Sequence, residues 1–272
     1  MKLLSGALGA EISGIDLAHP LTDAALKDIQ DLFARHLVLV FPAQDLTPAQ
    51  QVAFTRNFGP VEPHPLGSRR TAEGQPEVLI FENKPGTPGA RNDFWHSDIS
   101  YVTTPPGASV LHARVVTEGR GDTMFCNMYT AYEELSSGLR RLLESLSAVH
   151  SAELLVRRNN ETRSDGRPIE GVPPAVEHPV IRSHPVTRRK AIYVNPYFTS
   201  HFSGMTGEES RPMLEYLHAR ATRPENVYRH HWRRGDVLMW DNRATMHYAV
   251  YDYDENMPRR MHRTTAGGER PS

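Results

Sequence analysis

The stretch Asn92-Asp93-Phe94-Trp95-His96-Ser97-Asp98 carries an imidazole and a carboxylate two residues apart, and the rest of the chain is interpreted around it. In an extended strand, residues i and i+2 point to the same side. The spacing therefore predicts a strand from which His96 and Asp98 face one cavity. A nitrogen and an oxygen ligand suit iron, manganese or zinc. Such a pair arises easily by chance in a chain with 14 histidines, so it needs a partner elsewhere.

A third histidine and two arginines supply candidate partners late in the chain. His247 follows a predicted strand that ends in Trp240-Asp241-Asn242-Arg243, and the run 259–265 alternates as a strand does, so that Arg259 and Arg263 share a face. An arginine on an inward face keeps its charge and needs an anion. Two histidines and one carboxylate form the ligand set of non-haem iron oxygenases, which leaves coordination positions open. An arginine nearby can pair with the carboxylate of a chelating cosubstrate.

Composition limits the classes of partner. The chain has 272 residues, enough for two small domains or one large β-rich domain, and no linker divides it, which favours a single domain over residues 1–272. The net charge of −1, with both signs mixed, argues against a nucleic-acid or anionic-membrane partner. Neither a signal peptide nor a membrane span is evident, so we expect a cytoplasmic protein. The single cysteine, Cys126, is interpreted as a buried structural thiol.

Local patterns predict alternating helices and short strands. Apolar residues at helical spacing and N-caps predict helices over 26–33, after Thr47, near Thr130, over 139–146 and after Thr206. Short apolar runs predict strands at 37–41, 78–81, 108–116, 124–126, 175–181 and 191–194. The segments 227–232 and 237–240 are predicted to form a hairpin.

The polar, Gly- and Pro-rich segment 157–174 is predicted to be a flexible insertion. Two interpretations stay open for it, a lid over a site and a disordered surface loop. His64 likewise lies in a Pro-rich segment, where it is either a solvated loop residue or a pocket residue.

Taken together, these motifs resemble, in order, those of the taurine dioxygenase family of iron(II)- and 2-oxoglutarate-dependent dioxygenases. The similar segments are Gly6–Leu17, Trp95–Asp98, Gly121–Thr123, Tyr193–Asn195, Trp240–Arg243 and Met261–Arg263. The chain is also similar to the alkylsulfatases of that family, and its end, Arg263–Pro271, resembles those of the phenoxypropionate dioxygenases. The resemblance implies a mainly β fold with flanking helices, namely a double-stranded β-helix, or jelly-roll.

The resemblance also implies a role for nine residues. His96, Asp98 and His247 match the iron ligands. Thr123 and Arg259 match the positions that bind the distal carboxylate of 2-oxoglutarate, and Arg260 should then point outward. Substrate contacts are implied for Arg263, which matches the position that meets a sulfonate, and for Asn92, His64 and Phe198.

The implied activity is hydroxylation of a small organic anion: an alkyl sulfonate, alkyl sulfate or aryloxyalkanoate. The cofactors are Fe(II), 2-oxoglutarate and O2, the coproducts are succinate and CO2, and the hydroxylated product is expected to collapse. Taurine enzymes carry a tyrosine where this chain has Gly67, which argues against taurine itself. The resemblance further suggests a homo-oligomer. Two alternatives remain at this point, a non-catalytic metal-binding jelly-roll and a zinc hydrolase.

Overall fold

The computed structural model describes residues 1–66, 70–83, 92–162, 169–254 and 256–272. In this part of the chain the α-helices are α1 (Asp23–His36), α2 (Pro48–Thr55), α3 (Met128–Glu133), α4 (Ser137–Glu144), α5 (Glu153–Thr162) and α6 (Gly207–Ala221). The strands are β1 (Lys2–Leu3), β2 (Ala10–Glu11), β3 (Val38–Phe41), β4 (Thr71–Ala72), β5 (Gln75–Asn83), β6 (Ala108–Val115), β7 (Thr123–Asn127), β8 (Ser147–His150), β9 (Val176–Pro179), β10 (Ile181–Ser183), β11 (Lys190–Ile192), β12 (Thr199–Phe202), β13 (Val227–His230), β14 (Val237–Asp241), β15 (Thr245–Ala249) and β16 (Arg259–Ala266).

Two sheets enclose the main core. The larger sheet has eight strands in the order β1-β2-β3-β14-β6-β16-β5-β4, and a three-stranded sheet has the order β13-β7-β15. Apolar side chains of β6, β14 and β16 meet those of β7 and β15 in one cluster, in which the rings of Phe125 and Trp240 lie 5.6 Å apart. The sheets β12-β8-β9 and β10-β11 lie beside this pair. The prediction of a mainly β fold with flanking helices is confirmed.

The apolar run of β3 serves two cores at once. Val38 and Val40 face the cluster between the sheets, whereas Leu39 and Phe41 face a second cluster under α1 and α2. Side chains alternate across a strand, so a strand covered on both faces must be apolar at every position. All four residues are fully buried, which explains the uninterrupted run.

The capping signals place the helices that cover the large sheet. Thr47 accepts a hydrogen bond from the Gln50 backbone, and the Gln50 side chain accepts one from the Thr47 backbone, so the predicted capping box at the start of α2 is present. From α2, Phe54 packs edge-on against Phe41 at 5.7 Å between ring centroids. Within the described residues, no helix is both long and apolar enough to cross a lipid bilayer.

Three local predictions are wrong. The segments 227–232 and 237–240 do not form a hairpin, because β13 pairs with β7 in the small sheet while β14 pairs with β3 and β6 in the large one. Residues 157–162 are the helical end of α5 rather than a loop; residues 163–168 lie outside the described residues. His96 and Asp98 do not lie in a regular strand, since His96 makes a single β-bridge to His247 and a turn begins at Asp98.

Two further predictions are confirmed. Arg260 points away from the core face of β16, and its Nε lies 2.6 Å from Oε1 of Glu82. Cys126 is fully buried, with its Sγ 3.6 Å from the Met128 sulfur, and burial raises the pKa of the thiol to about 12. A thiol with so high a pKa is inert at neutral pH, as a structural cysteine should be.

Candidate active site

Three buried side chains converge at one end of the space between the two sheets. The ligand atoms of His96, Asp98 and His247 all lie within 4.8 Å of one another, and the Nε2 atom of each histidine is 3.9 Å from Oδ1 of Asp98. Among the described residues this is the one cluster of at least three His, Cys, Asp or Glu side chains with such geometry. Two imidazole nitrogens and one carboxylate oxygen suit a divalent transition metal such as Fe(II).

The main chain fixes the spacing of the two histidines. The backbone N–H of His96 donates to the carbonyl of His247 at 3.0 Å, and that of His247 donates to the carbonyl of His96 at 2.8 Å. The His96 Nδ1 atom lies 2.9 Å from the Phe94 carbonyl, so Nδ1 carries the proton and Nε2 keeps its lone pair. Burial lowers the pKa of both histidines, and neutral imidazoles are the form that binds metal.

Asp98 is held ionised by its neighbours. Arg263 Nη1 donates to its Oδ1 at 2.9 Å, and the Ser109 hydroxyl donates to its Oδ2 at 2.6 Å. Burial alone would raise the pKa of Asp98, but the charge of Arg263, the two histidines and the Ser109 hydrogen bond together outweigh this effect, and the pKa lies well below its ordinary value. The carboxylate is therefore ready to bind a cation without first losing a proton.

The motif Trp240–Arg243 orients the Asp98 carboxylate through a chain of hydrogen bonds. The Asn242 side chain donates to Ser109 Oγ at 2.9 Å and accepts from the Trp240 indole at 3.0 Å. Ser109 in turn donates to Asp98, so the chain of hydrogen bonds begins at the indole and ends at the metal ligand. Neither Ser109 nor Asn242 was predicted from the sequence, because a lone serine in a strand carries no signal of its own.

Arg259 lies in the same cavity but has a different environment. Its Nε atom is buried and has no hydrogen-bond partner, its Nη2 donates to the Gly121 carbonyl at 3.5 Å, and no carboxylate of the described residues lies within ion-pair distance. Burial lowers the pKa of Arg259, which shows that the surroundings disfavour the cation. An arginine side chain does not lose its proton in a protein, so this site requires an anion from outside the chain to balance the charge.

Gly121 makes room for that guanidinium. Its φ of +66° lies in the left-handed region, and a Cβ there would sit 3.1 Å from Arg259 Nε and 3.3 Å from the Tyr253 ring. Two residues on, Thr123 is buried at the start of β7 and lines the same cavity as Arg259. The motif Gly121-Asp122-Thr123 thus combines space for a buried arginine with an adjacent hydroxyl.

All nine residues singled out from the sequence line one cavity: His64, Asn92, His96, Asp98, Thr123, Phe198, His247, Arg259 and Arg263. The sequence analysis missed most of its apolar wall, which is formed by Phe81, Phe94, Tyr101, Leu111, Leu155, Tyr197, Tyr251 and Tyr253, among others. The alternation in Tyr251-Asp252-Tyr253 was the available signal for the last two. The wall is therefore largely aromatic, with polar groups concentrated near the triad and Arg259.

Two aromatic side chains that line the cavity belong to a stack of three side chains. The rings of Phe94 and Tyr197 lie face to face with centroids 3.5 Å apart, and the Arg158 guanidinium of α5 lies 5.1 Å from the Phe94 centroid. Leu155, also on α5, reaches the cavity. The helix that replaces the predicted loop therefore lies against the site.

Comparison with known proteins agrees with this geometry. Residues 1–265 match the family described as "Taurine catabolism dioxygenase TauD, TfdA family". The chain is 34% identical to an alkylsulfatase of Acinetobacter baylyi over 99% of this chain and 85% of the relative. It is also 34% identical to the alpha-ketoglutarate-dependent 2,4-dichlorophenoxyacetate dioxygenase of Cupriavidus pinatubonensis, over 94% of this chain and 93% of the relative.

A solved structure extends the likeness to the fold. The crystal structure of AAD-2 in complex with Mn(II) and N-oxalylglycine superposes with a TM-score of 0.81 at 33% identity, over 99% of this chain and 97% of that one. N-oxalylglycine has the two carboxylates of 2-oxoglutarate, and Mn(II) resembles Fe(II) in the ligands that it accepts.

The jelly-roll and the triad together define an iron(II)- and 2-oxoglutarate-dependent dioxygenase, whose cofactors are Fe(II), 2-oxoglutarate and O2. The chain belongs to the TauD/TfdA family of these enzymes. The predicted jelly-roll, family and enzyme class are confirmed, whereas a non-catalytic metal-binding module and a zinc hydrolase gain no support from these relatives.

Proposed function

We propose that this enzyme hydroxylates a small organic anion with an apolar body, namely an alkyl sulfonate, an alkyl sulfate or an aryloxyalkanoate. The observation that carries the proposal is Arg263, a buried guanidinium on the cavity wall beside the triad, with an Nε atom that has no hydrogen-bond partner. Relatives named for sulfate esters and for a phenoxyacetate agree with a substrate of this kind.

We assign the metal to His96, Asp98 and His247. When bound, Fe(II) with 2-oxoglutarate and O2 supplies the oxidant that inserts one oxygen atom into a C–H bond, the other passing into succinate as CO2 is lost. The chain presents two neutral imidazoles and an ionised carboxylate for this purpose, each already oriented by hydrogen bonds. Because Asp98 fills the third protein position, the residues fit hydroxylation rather than halogenation.

Thr123 and Arg259 are proposed to hold the distal carboxylate of 2-oxoglutarate. Arg259 is a buried cation without an internal anion, and Thr123 supplies a hydroxyl in the same cavity. A carboxylate there would neutralise the guanidinium in a dry environment, where such a pair is strong. This contact fixes the cosubstrate at the end remote from the metal.

Arg263 is proposed to orient the substrate through its anionic group. One of its terminal nitrogens is engaged by Asp98, and the guanidinium lies 5.0 Å from the Phe81 ring, so it has little freedom to move. We propose Asn92, His64 and Phe198 as further substrate contacts, with the aromatic wall covering the apolar body. Holding the reacting carbon in place and excluding water are the contributions of the protein.

The chemistry of the product follows from the substrate class. Hydroxylation of a carbon that bears a sulfonate, sulfate or aryloxy group gives a product that collapses to an aldehyde or ketone. The leaving group departs as sulfite, sulfate or a phenol, and the hydroxyl proton is lost. For a sulfonate or a sulfate, the positive charge of Arg263 beside the departing anion favours this step; for an aryloxyalkanoate, Arg263 would hold the carboxylate that stays on the product.

The lid predicted at 157–174 is proposed here for its described parts, residues 157–162 and 169–174, which would cover the cavity of a single domain. Leu155 of α5 lines the cavity, Arg158 of the same helix lies 5.1 Å from the Phe94 ring centroid, and Ile169 belongs to the same apolar cluster as Phe198. The position of Gly67, which separates this chain from taurine enzymes, lies outside the described residues. Self-association and a cytoplasmic location stay predictions; light scattering on the purified protein checks the first of them.

The test is a screen for succinate release with Fe(II), 2-oxoglutarate, O2 and members of the three substrate classes. We expect succinate and a carbonyl product in equal amounts for at least one class, and no product from the His247→Ala variant. If zinc sustained turnover in place of iron, the assigned chemistry would be wrong. If no sulfonate, sulfate or aryloxyalkanoate stimulated succinate release, the substrate proposal would fail.

A further inference from the structure

Trp232 contacts Thr123, one of the two residues assigned to 2-oxoglutarate, from the side away from the cavity. It is 2% exposed, and its indole Nε1 donates to the Thr123 hydroxyl oxygen at 3.0 Å. The register explains the contact, because His230 at the end of β13 pairs with Thr123 at the start of β7, and Trp232 follows two residues later. Trp232 does not itself line the cavity that contains Thr123 and Arg259.

The direction of this hydrogen bond decides what the hydroxyl can do. An indole N–H can only donate, so Thr123 Oγ1 must be the acceptor. The hydroxyl proton is then free for a different acceptor, and the hydroxyl donates no hydrogen bond to any of the described residues. The remaining side of Thr123 faces the cavity that also holds the unpaired Nε of Arg259.

The indole is fixed in this orientation by its own contacts. Its ring packs edge-on against the His230 imidazole, with centroids 4.5 Å apart and planes at 88°. The Tyr228 hydroxyl lies at hydrogen-bond distance from His230 Nδ1, 2.9 Å away, and Asp236 Oδ2 lies 3.2 Å from Nε2 without forming a hydrogen bond. The donor is therefore rigid, and all of these groups lie outside the metal triad.

We propose that Trp232 is a positioning residue for the cosubstrate: its indole N–H turns the Thr123 hydroxyl so that the hydroxyl proton points to the distal carboxylate of 2-oxoglutarate. The proposal rests on the assignment of Thr123 and Arg259 to that carboxylate. Acceptance of one hydrogen bond polarises a hydroxyl and strengthens the bond that it donates. Trp232 thereby acts on the cosubstrate through Thr123 without touching it.

The experiment measures 2-oxoglutarate binding by calorimetry to protein loaded with Mn(II), in the absence of O2. We expect the Trp232→Phe variant, which keeps a ring and loses the N–H, to bind 2-oxoglutarate roughly three- to tenfold more weakly, as for one hydrogen bond. We expect Thr123→Val to weaken binding more, because it removes the donor itself. Mn(II) affinity without 2-oxoglutarate should stay unchanged in both variants.

A double-mutant cycle separates positioning from packing. If Trp232 acts through the hydroxyl, adding Trp232→Phe to Thr123→Val has no further effect on 2-oxoglutarate affinity. An equal loss in both backgrounds would overturn the proposal, since it would show that the ring matters only as packing. If neither Thr123→Val nor Arg259→Leu weakened 2-oxoglutarate binding, the assignment of these residues to the cosubstrate would be wrong. If both weakened it and Trp232→Phe did not, the assignment would stand and only the positioning role of Trp232 would be wrong.

A second measurement needs no change at Trp232. The chain has three tryptophans, so the indole N–H signals of protein labelled with nitrogen-15 and loaded with diamagnetic Zn(II) are few. One signal should shift when Thr123 is changed to valine, and that same signal should shift on addition of 2-oxoglutarate to the unaltered protein. A signal that responds to the valine substitution but not to 2-oxoglutarate would contradict the proposal.

Discussion

The two ends of the cavity use arginine in opposite ways. Arg263 and Arg259 are four residues apart on the same face of β16, and the Nε atom of each is buried without a hydrogen-bond partner. At the metal end, Arg263 is paired with Asp98 inside the chain. At the far end, Arg259 has no carboxylate partner among the described residues. Two identical side chains on one face of a strand therefore differ in environment, because the fold places a carboxylate beside Arg263 and none beside Arg259.

This difference predicts how the loss of each arginine affects the stability of the ligand-free protein. When one member of a buried ion pair is removed, the other is left as an uncompensated charge, which is strongly destabilising. An unpaired buried charge lowers stability in the absence of ligand and is compensated when an anion binds. The metal end should therefore tolerate loss of its arginine poorly in the metal-free protein, and the far end should tolerate it well.

The largest effect is expected for Asp98→Ala, which removes a metal ligand and the partner of Arg263 together. Loss of groups that merely support a ligand weakens metal binding by about 10–100-fold, so loss of the ligand should exceed that range. Succinate formation should fall to background, and Mn(II) affinity should fall with it. The control is Asp45→Ala on the exposed surface; comparable Mn(II) affinity in the two variants would remove Asp98 from the metal site.

Arg263→Leu should come next, and its effect should depend on metal. Without metal, Asp98 loses its buried counter-charge, and we expect the free energy of unfolding to fall by about 3–5 kcal/mol. With Mn(II) bound, the cation takes over that role, so the deficit should shrink. Urea unfolding with and without Mn(II) measures both values, and an equal deficit under the two conditions would contradict the proposed role of the pair.

Arg259→Leu should act in the opposite direction on stability. Removal of a guanidinium that has no anion beside it among the described residues should raise the free energy of unfolding of the metal-free protein by about 1–3 kcal/mol. The affinity for 2-oxoglutarate should fall roughly 10–150-fold, as for one charge-assisted hydrogen bond. Arg260→Leu, on the outer face of the same strand, is the matched control and should leave 2-oxoglutarate binding unchanged.

Gly121→Ala should have the smallest effect. A Cβ at a φ of +66° strains the backbone by about 1–2 kcal/mol. The new methyl group also crowds Arg259, so 2-oxoglutarate should bind more weakly. Gly119→Ala is the control, because its φ is +74° but nothing lies within 4 Å of the new Cβ. Equal 2-oxoglutarate affinity in the two variants would show that Gly121 does not set the position of Arg259.

The sequence predicted features that depend on neighbours along the chain. The Thr47 capping box and the alternation of Arg259 and Arg263 are local, and the structure contains both. The predicted hairpin is absent because the backbone of the turn 233–236 forms hydrogen bonds with Ala113 of β6, and the strands on either side of the turn belong to different sheets. Nothing in the local pattern tells which sheet each strand will join.

The candidate site shows the same limit. Its charged residues could be found because imidazole, carboxylate and guanidinium groups at family spacing carry a chemical signal. The strand predicted for His96 and Asp98 is absent, because Ile99, directly after Asp98, has a φ of +53°, which ends extended backbone at this point. Trp232 and Ser109 could not be found, because each acts through a partner more than a hundred residues away or in another element.

The reciprocal hydrogen bonds between His96 and His247 have a consequence for the life of the enzyme. Two backbone hydrogen bonds join these residues, so we expect the spacing of the two histidines to be set without a metal ion. Proteins whose metal organises the chain are unfolded without it, whereas this one should remain folded. We therefore expect iron to exchange without unfolding of the protein. An enzyme molecule that has lost its iron, or whose iron has been oxidised, should bind Fe(II) again while it remains folded.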